Sequence, residues 1–274
     1  MKFISPGGWF SMELPSNWSE FEDTTESFLF YNPEKWSGNF RISAYRDKSK
    51  DYAKECIKDE LENNDAASLV KVGDWDCAYS CETFQEEHNW YTTHIWITGK
   101  EYTSFECSFT IAKGGDIKAA QDIIKSISVR EPGKKYPREI IPVRLMEIEE
   151  INSGFEWAVS TIKKQLSKDF TSEAKDIKSI QSIIDSGKIN ASQRNAWENL
   201  GIAFGAILIN EMDGMEWVSI IDDNNEYPAL RFKDSDLIVD AIQIIWKYIN
   251  KGEKCNLQSE FDKIALQATE ILEK

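Results

Sequence analysis

The sequence predicts an α+β fold: an N-terminal antiparallel sheet with helices packed on it, then a mostly helical domain with one β-hairpin. Two periodicities of the apolar residues predict this fold class. Over most of residues 1–130 they alternate with period two, and over most of 143–274 they repeat with period 3.6. Between these parts, residues 131–142 hold three of the seven prolines. Because proline blocks helix interiors and central strands, this stretch is predicted to be an extended linker.

The elements of the first domain, residues 1–130, are predicted in the order β-β-β-α-β-β-β-α. The expected strands cover 9–14, 28–31 and 40–45, then 77–84, 90–98 and 102–111, with helices over 49–63 and 116–127. In the last strand Phe105, Cys107, Phe109 and Ile111 share one face and are expected to point into the core. One antiparallel sheet with helices packed on it is the simplest layered arrangement for this order.

The second domain, residues 143–274, is expected to be mostly helical. Helices are predicted over 143–168, 172–186, 190–212, 235–250 and 257–273, with one hairpin whose strands cover 216–221 and 227–232. The longest apolar run, residues 200–209, is too short to span a bilayer and is typical of a buried central helix. It contains Gly201 and Gly205, a spacing expected to let a neighbouring helix or the hairpin approach closely.

Composition narrows the classes of function. A hydrophobic content of 41% and ten Trp indicate a sizeable core rather than disorder. The net charge of −15 disfavours nucleic acid and anionic membranes as partners, and it favours a basic protein partner. A solvated acidic surface without a partner is the alternative explanation of the same charge.

Five cysteines are too few and too scattered for a disulfide framework, and we expect all of them to be reduced. Folded-domain sequence begins at Phe3, with no charged-then-apolar leader before it. The sequence therefore predicts a cytoplasmic protein.

No constellation of residues points to chemistry. Neither His88 nor His94 has a Cys or carboxylate partner at a metal-ligand spacing, so no metal and no cofactor are expected. Cys107 and His94 could be neighbours on adjacent strands, which a thiol nucleophile and its base require. Since Cys107 lies on an apolar face, a core role is the alternative, and the chain is predicted not to be an enzyme.

Three places are candidates for binding. Trp36 lies in a loop, where it either plugs the core or anchors a partner. Trp90, His94 and Trp96 share one face of a strand and could line a pocket between the sheet and its helices; a half-buried His with a local hydrogen bond is the alternative. Acidic residues at the hairpin tip could contact a partner or only keep the turn hydrated; they are Asp222, Asp223 and Glu226.

Residues 1–130 resemble the PsbP-like fold through a strand that runs into Leu14-Pro15-Ser16-Asn17-Trp18. The resemblance implies an α/β/α sandwich used as a binding or accessory module. Residues 143–274, through the stretches 197–205 and 216–218, resemble an uncharacterised helical bacterial domain. Together the two parts resemble a two-domain bacterial family of unknown function, from which no functional residue can be carried over.

We therefore expect a non-enzymatic, protein-binding accessory or immunity-type protein whose acidic surface binds a basic partner. The alternative is a small-ligand-binding module with its pocket between the N-terminal sheet and the helices. A third hypothesis, an enzyme built on scattered carboxylates, requires a polar cleft in which such groups converge.

Overall fold

The computed structural model describes residues 1–23, 26–131, 133–222 and 225–273, with the backbone alone at positions 22 and 23. The chain divides into two compact units, Met1–Tyr136 and Pro137–Lys274, called here the first and second unit. Across the described residues it forms seven α-helices and three antiparallel sheets.

The first unit contains ten strands and two helices. They are β1 (Lys2–Ile4), β2 (Phe10–Glu13), β3 (Ser19–Asp23), β4 (Ser27–Tyr31), β5 (Asn39–Arg46), α1 (Tyr52–Asn63), β6 (Ser68–Val72), β7 (Trp75–Glu86), β8 (Asn89–Lys100), β9 (Thr103–Ala112), α2 (Lys118–Ser126) and β10 (Ser128–Val129). Seven of the strands form one antiparallel sheet in the order β3-β4-β5-β9-β8-β7-β6, and β1, β2 and β10 form a small one.

One face of the seven-stranded sheet carries the core of this unit. Its inward side chains, which include Phe40, Ile42, Phe105 and Phe109, are fully buried and pack with residues of the small sheet and of α2. The predicted inward face of β9 is thereby confirmed. Helix α1 packs against the opposite face, called here the α1 face. The predicted element order was incomplete, because it omitted β1, β3, β6 and β10.

The second unit contains four strands and five helices. They are β11 (Glu139–Pro142), α3 (Leu145–Leu166), α4 (Ile177–Asp185), α5 (Arg194–Glu211), β12 (Met215–Asp222), β13 (Asn225–Phe232), β14 (Ile238–Val239), α6 (Ala241–Lys251) and α7 (Leu257–Leu272). The strands form one antiparallel sheet in the order β11-β12-β13-β14.

This sheet corrects two predictions. The unit is not a helical domain with a single hairpin, because an additional strand pairs with each side of the hairpin β12–β13. The last four residues of the predicted linker form strand β11, whose Pro142 lies opposite Val218. Proline is tolerated there because β11 is an edge strand.

Helix α5 is the centre of the second unit, and most of its residues are buried. A Cβ atom on Gly201 would lie 2.4 Å from the carbonyl oxygen of Ile242 in α6, and one on Gly205 would lie 3.0 Å from the ring of Trp217 in the hairpin. The close approach predicted for this glycine pair is confirmed. Within the described part of the chain, no helix has both the length and the apolar content that crossing a membrane requires.

Candidate functional site

The predicted aromatic residues of the first unit lie in different environments. Trp36 is 46% exposed and meets the ring of Tyr91 edge-on at 5.8 Å, so it does not plug the core. Trp90 is 50% exposed, with the Lys113 ammonium 5.3 Å from its ring. Trp96 is buried in the core. Trp90, His94 and Trp96 do share a face of β8, but the face is covered at Trp96 and open at Trp90.

His94 is half-buried and bound to a neighbour on β7. Its Nδ1 is 2.7 Å from the hydroxyl oxygen of Tyr79, and burial lowers the pKa of the imidazole. Burial, followed by a hydrogen bond with Cys81, raises the pKa of Tyr79 to about 12. The imidazole is therefore neutral at neutral pH and held by a local hydrogen bond, which agrees with the alternative given for this residue.

The thiol of Cys107 is not placed to react with His94. The two-residue turn between β8 and β9 sets Cys107 opposite Trp96, whereas His94 lies opposite Phe109 and Cys81. Cys107 is fully buried, and burial raises the pKa of its thiol well above the usual value. The core role that the sequence favoured for Cys107 is confirmed, and the register places His94 one pair along on the same face rather than directly opposite the thiol.

The acidic hairpin tip of the second unit does not act as one cluster. Asp222 is exposed at the end of β12, and Asp223 lies outside the described residues. The side chain of Glu226 is only 18% exposed and accepts a hydrogen bond from Nη1 of Arg144 at 3.1 Å. Glu226 is therefore held in an internal ion pair rather than presented to a partner.

That ion pair belongs to a buried cluster, called here the Arg144 cluster, which consists of Arg144, Glu147, Ser219 and Glu226. Nη2 of Arg144 donates to Glu147 at 2.7 Å, the Arg144 amide donates to the same carboxylate at 3.0 Å, and so does the Ser219 hydroxyl. Burial lowers the pKa of Arg144, but the two carboxylates outweigh it and the net shift is upward. The cluster joins the start of α3 to β12 and β13, and it contains no histidine or thiol.

The first unit has a groove of about 970 Å³ beside α1, called here the α1 groove. Helix α1 and the turn before it supply two parallel rows, each with a spacing of four residues. Ala53, Ile57 and Leu61 form an apolar row, and lysines at 50, 54 and 58 form a basic row next to it. The remaining wall comes from β6, the two turns at this end of the sheet and the end of α2; it consists of Leu69, Asp74, Trp75, Asp76, Gly99, Lys100, Glu101, Lys125 and Ile127.

The start of α1 is seated directly on the turn between β8 and β9. The amide of Ala53 donates to the carbonyl of Glu101 at 3.0 Å. A Cβ atom on Gly99 would lie 2.3 Å from the carbonyl oxygen of Thr103 and 2.9 Å from Cβ of Ala53. The absence of a side chain at Gly99 thus allows the close contact that fixes one wall of the groove.

The groove combines an apolar floor with exposed charges. Leu69 is 62% exposed, a large exposed fraction for a leucine in a strand. Lysines line the groove at five positions, and those at 50 and 54 have carboxylate partners, Glu101 at 3.6 Å and Asp51 at 3.3 Å. These side chains are mostly exposed, so such pairs contribute little to stability and are easily exchanged.

The sequence predicted only part of this groove. A helix over 49–63 was predicted, but the lysine row along it was not, although its spacing of four residues is visible in the sequence. The opposite wall was missed because β6 was not predicted. Among the described residues, no three His, Cys, Asp or Glu side chains are grouped as a metal ion would require.

In comparisons with known proteins, two family models match the chain, and a closely similar structure is among the solved ones. The model of a domain of unknown function, DUF3805, matches residues 1–152, and that of a second, DUF3806, matches residues 176–261. A crystal structure at 1.50 Å resolution of a protein from Bacteroides thetaiotaomicron VPI-5482 is 51% identical in sequence, with a TM-score of 0.91; the match covers 95% of this chain and 96% of that one.

A second solved structure is only distantly similar. LpqN, involved in cell envelope biogenesis of Mycobacterium tuberculosis, is 11% identical with a TM-score of 0.28, and the match covers 44% of this chain and 83% of that one. A similarity this low carries no argument about fold or function. No curated protein matches the chain. The comparisons thus give a two-domain architecture with a bacterial relative and no assigned activity.

Proposed function

The chain belongs to the DUF3805 family, and from that premise we propose that it is a protein-binding protein that acts through the α1 groove without chemistry of its own. The observation that carries this proposal is the apolar floor of the groove beside the exposed Leu69. Exposed apolar surface with a polar rim is typical of protein interaction sites. The resemblance of this unit to the PsbP-like fold, a fold used for accessory binding, stays a prediction that would agree with this role.

A role without chemistry agrees with the arrangement of the reactive groups. The half-buried imidazole of His94 is bound to Tyr79, and the thiol of Cys107 is enclosed in the core. The carboxylates of Glu147 and Glu226 are held by Arg144. All five cysteines are free thiols, which supports the cytoplasmic location that we propose for this protein.

The predicted basic partner of an acidic surface remains a separate proposal. Residues 1–136 hold 16 basic and 23 acidic side chains, and residues 137–274 hold 16 and 24. The negative charge is thus spread over both units and does not single out one surface. The groove itself is lined by five lysines and four carboxylates, and we propose that its partner contacts the lysines with acidic side chains, in contrast to the basic partner that the net charge predicts.

A small ligand is the second candidate occupant, because the groove volume lies within the range of about 300–1,000 Å³ of small-molecule sites. The ring of Trp75 and the surrounding lysines would suit an anionic ligand with an apolar part. A thermal-shift screen of small carboxylates and phosphates separates the two candidates. A saturating ligand raises the free energy of unfolding by a few kcal/mol, whereas a uniform absence of shifts favours the protein partner.

The proposal is tested with two matched leucines. Leu69 lies in the groove and is 62% exposed, while Leu266 lies on α7 of the second unit and is 61% exposed. Peptide ligands are selected from a random display library on the wild-type protein, and their affinities are measured for Leu69→Asp and Leu266→Asp. Loss of an apolar contact of this kind costs about 1–3 kcal/mol, so we expect Leu69→Asp to weaken binding about tenfold or more.

Leu266→Asp is expected to leave the affinity unchanged. Equal effects of the two substitutions would place the selected ligands outside the groove and contradict the proposal. A library that yields no ligand of measurable affinity in repeated selections would contradict it as well.

A further inference from the structure

Strand β6 forms one edge of the seven-stranded sheet and borders the α1 groove. Its pairing with β7 runs without a bulge from Val72 opposite Trp75 to Ser68 opposite Tyr79. Because side chains alternate along a strand, Leu69 and Lys71 both lie on the α1 face, next to the groove. The edge and the groove therefore form one continuous surface.

The backbone of β6 offers hydrogen-bonding groups at this edge. A turn of two residues joins β6 to β7, so the flanking pair Val72–Trp75 exchanges both hydrogen bonds, and every second pair after it does the same. The N–H and C=O groups of Leu69 and Lys71 therefore point away from β7. The carbonyl of Asp76, opposite Lys71, agrees with this, because it accepts from Thr98 Oγ1 on β8 at 2.8 Å.

The opposite edge of the sheet, strand β3, is less regular than β6. The register of β3 against β4 shifts between Glu20 and Glu22, a bulge that interrupts the ladder. Proteins use bulges and charges to prevent an edge strand from pairing with another chain. Strand β6 is regular. Of its two residues on the α1 face, Leu69 and Lys71, only Lys71 carries a charge that discourages pairing with another chain. A segment that carries a carboxylate opposite Lys71 complements this charge, and such a segment is the one that the edge favours.

We propose that β6 accepts an extended segment of a partner protein as an eighth strand, and that the side chains which this segment places on the α1 face are alternately apolar and acidic. This inference rests on the proposed function and names the chemistry of its partner. Strand addition uses backbone hydrogen bonds for affinity and side-chain contacts for specificity. On the α1 face, the apolar side chains of the added strand contact Leu69 and Leu61, and its carboxylates pair with Lys58 and Lys71.

Both lysines can exchange their present partners. Lys71 is 3.7 Å from Asp76 and Lys58 is 3.6 Å from Glu62, and all four side chains are more than half exposed. Long, exposed pairs of this kind contribute little to stability. A partner carboxylate that is held in place by a β-ladder replaces Glu62 or Asp76 at a small cost in free energy.

The test uses the full chain and a synthetic heptapeptide, Thr-Glu-Thr-Leu-Thr-Glu-Thr, blocked at both ends, whose Glu, Leu and Glu side chains share one face of an extended strand. Amide hydrogen exchange is followed by NMR with and without saturating peptide. In the free protein the amide of Val70 is expected to be protected and those of Leu69 and Lys71 to exchange freely. With the peptide, we expect the exchange of Leu69 and Lys71 to slow by at least about tenfold.

A pair of variants distinguishes the contribution of the Lys71 backbone N–H to binding from that of the Lys71 charge. Lys71→Pro removes an outward N–H and leaves the bonds of β6 to β7 in place, whereas Lys71→Ala removes only the charge. Loss of one backbone hydrogen bond is expected to weaken the peptide about tenfold relative to Lys71→Ala. The same peptide with Lys in place of Glu is expected to bind at least about tenfold more weakly than the original. Thermal melting of both variants checks that they fold alike, and the exchange measurement on the wild type does not depend on either of them.

Each contrary result has its own meaning. If the peptide binds but Leu69 and Lys71 stay unprotected and the two variants bind equally, the inference is overturned while the proposed groove function stands. If sedimentation shows dimers in which these amides are protected without peptide, β6 pairs with a second copy and a foreign partner is excluded. If this peptide fails to bind while display-selected peptides bind in a Leu69-dependent way, the proposed pattern of apolar and acidic side chains along one face is wrong. If neither binds, the proposed function falls as well.

Discussion

Removal of the Glu147 side chain should destabilise the second unit far more than removal of an exposed carboxylate does. In the Arg144 cluster the carboxylate of Glu147 accepts hydrogen bonds from the Arg144 guanidinium, the Arg144 amide and the Ser219 hydroxyl. The side chains of Arg144 and Glu147 are 5% and 6% exposed. In Glu147→Ala the guanidinium keeps Glu226 but loses its closer partner, and the Ser219 hydroxyl loses its acceptor.

The size of the expected loss in stability follows from the burial of the Arg144–Glu147 ion pair. Breaking a buried ion pair by removing one partner costs about 3–5 kcal/mol, because an incompletely compensated charge is left inside the protein. Glu147→Gln keeps an acceptor oxygen of similar shape, so we expect it to cost about half as much, within the range for hydrogen bonds to charged groups. Ser219→Ala removes one donor and should cost about 1–2 kcal/mol.

Urea unfolding followed by circular dichroism measures these effects. Because the chain has two compact units, the shift is read in the transition that the cluster variants move, with the slope of that transition as a check on its cooperativity. The matched control is Glu62→Ala, which breaks the exposed pair with Lys58 and should cost less than about 0.5 kcal/mol. A cost for Glu147→Ala as small as that of Glu62→Ala would refute the argument.

Three further predictions concern other parts of the fold. Gly201→Ala should destabilise the protein by about 1–3 kcal/mol, and more than Gly205→Ala, because its Cβ would meet backbone at 2.4 Å rather than a side chain at 3.0 Å; thermal melting of the two variants checks the order. The exposed thiol of Cys81 should react with a thiol reagent at pH 8 in the folded protein, whereas the buried thiol of Cys107, whose pKa burial raises, should react only after unfolding. Burial lowers the pKa of His94, so as the pH falls below about 6.5 the unfolded chain takes up this proton first and the free energy of unfolding decreases; His94→Gln should remove that part of the pH dependence.

The features that the sequence predicts well are those with long, regular apolar patterns. The helix predicted over 190–212 is observed as Arg194–Glu211, and the hairpin of the second unit lies where the alternation places it. Buried elements of this length impose their period on many residues, so their existence does not depend on distant contacts.

The features that the sequence does not reveal depend on pairings between distant segments. Strand β6 is an edge strand with exposed side chains, so its apolar pattern is weak, and the α1 groove exists only because β6 lies beside α1. Glu226 looks like part of an acidic turn until the fold brings it to Arg144, 82 residues away along the chain. Nothing in the proline-rich stretch 131–142 indicates that residues 139–142 pair with strand β12, which lies far along the chain.

Site-specific photocrosslinking in cells of the native host tests most directly whether a partner protein occupies the α1 groove. A photoreactive phenylalanine analogue is introduced at Leu69 in one protein and at Leu266, the leucine of equal exposed fraction, in another. We predict a discrete protein adduct from position 69 only, attached through an extended segment of which one face carries alternating apolar and acidic side chains. Adducts of equal yield from both positions, or none from position 69 while the protein is present at its natural level, would contradict the account.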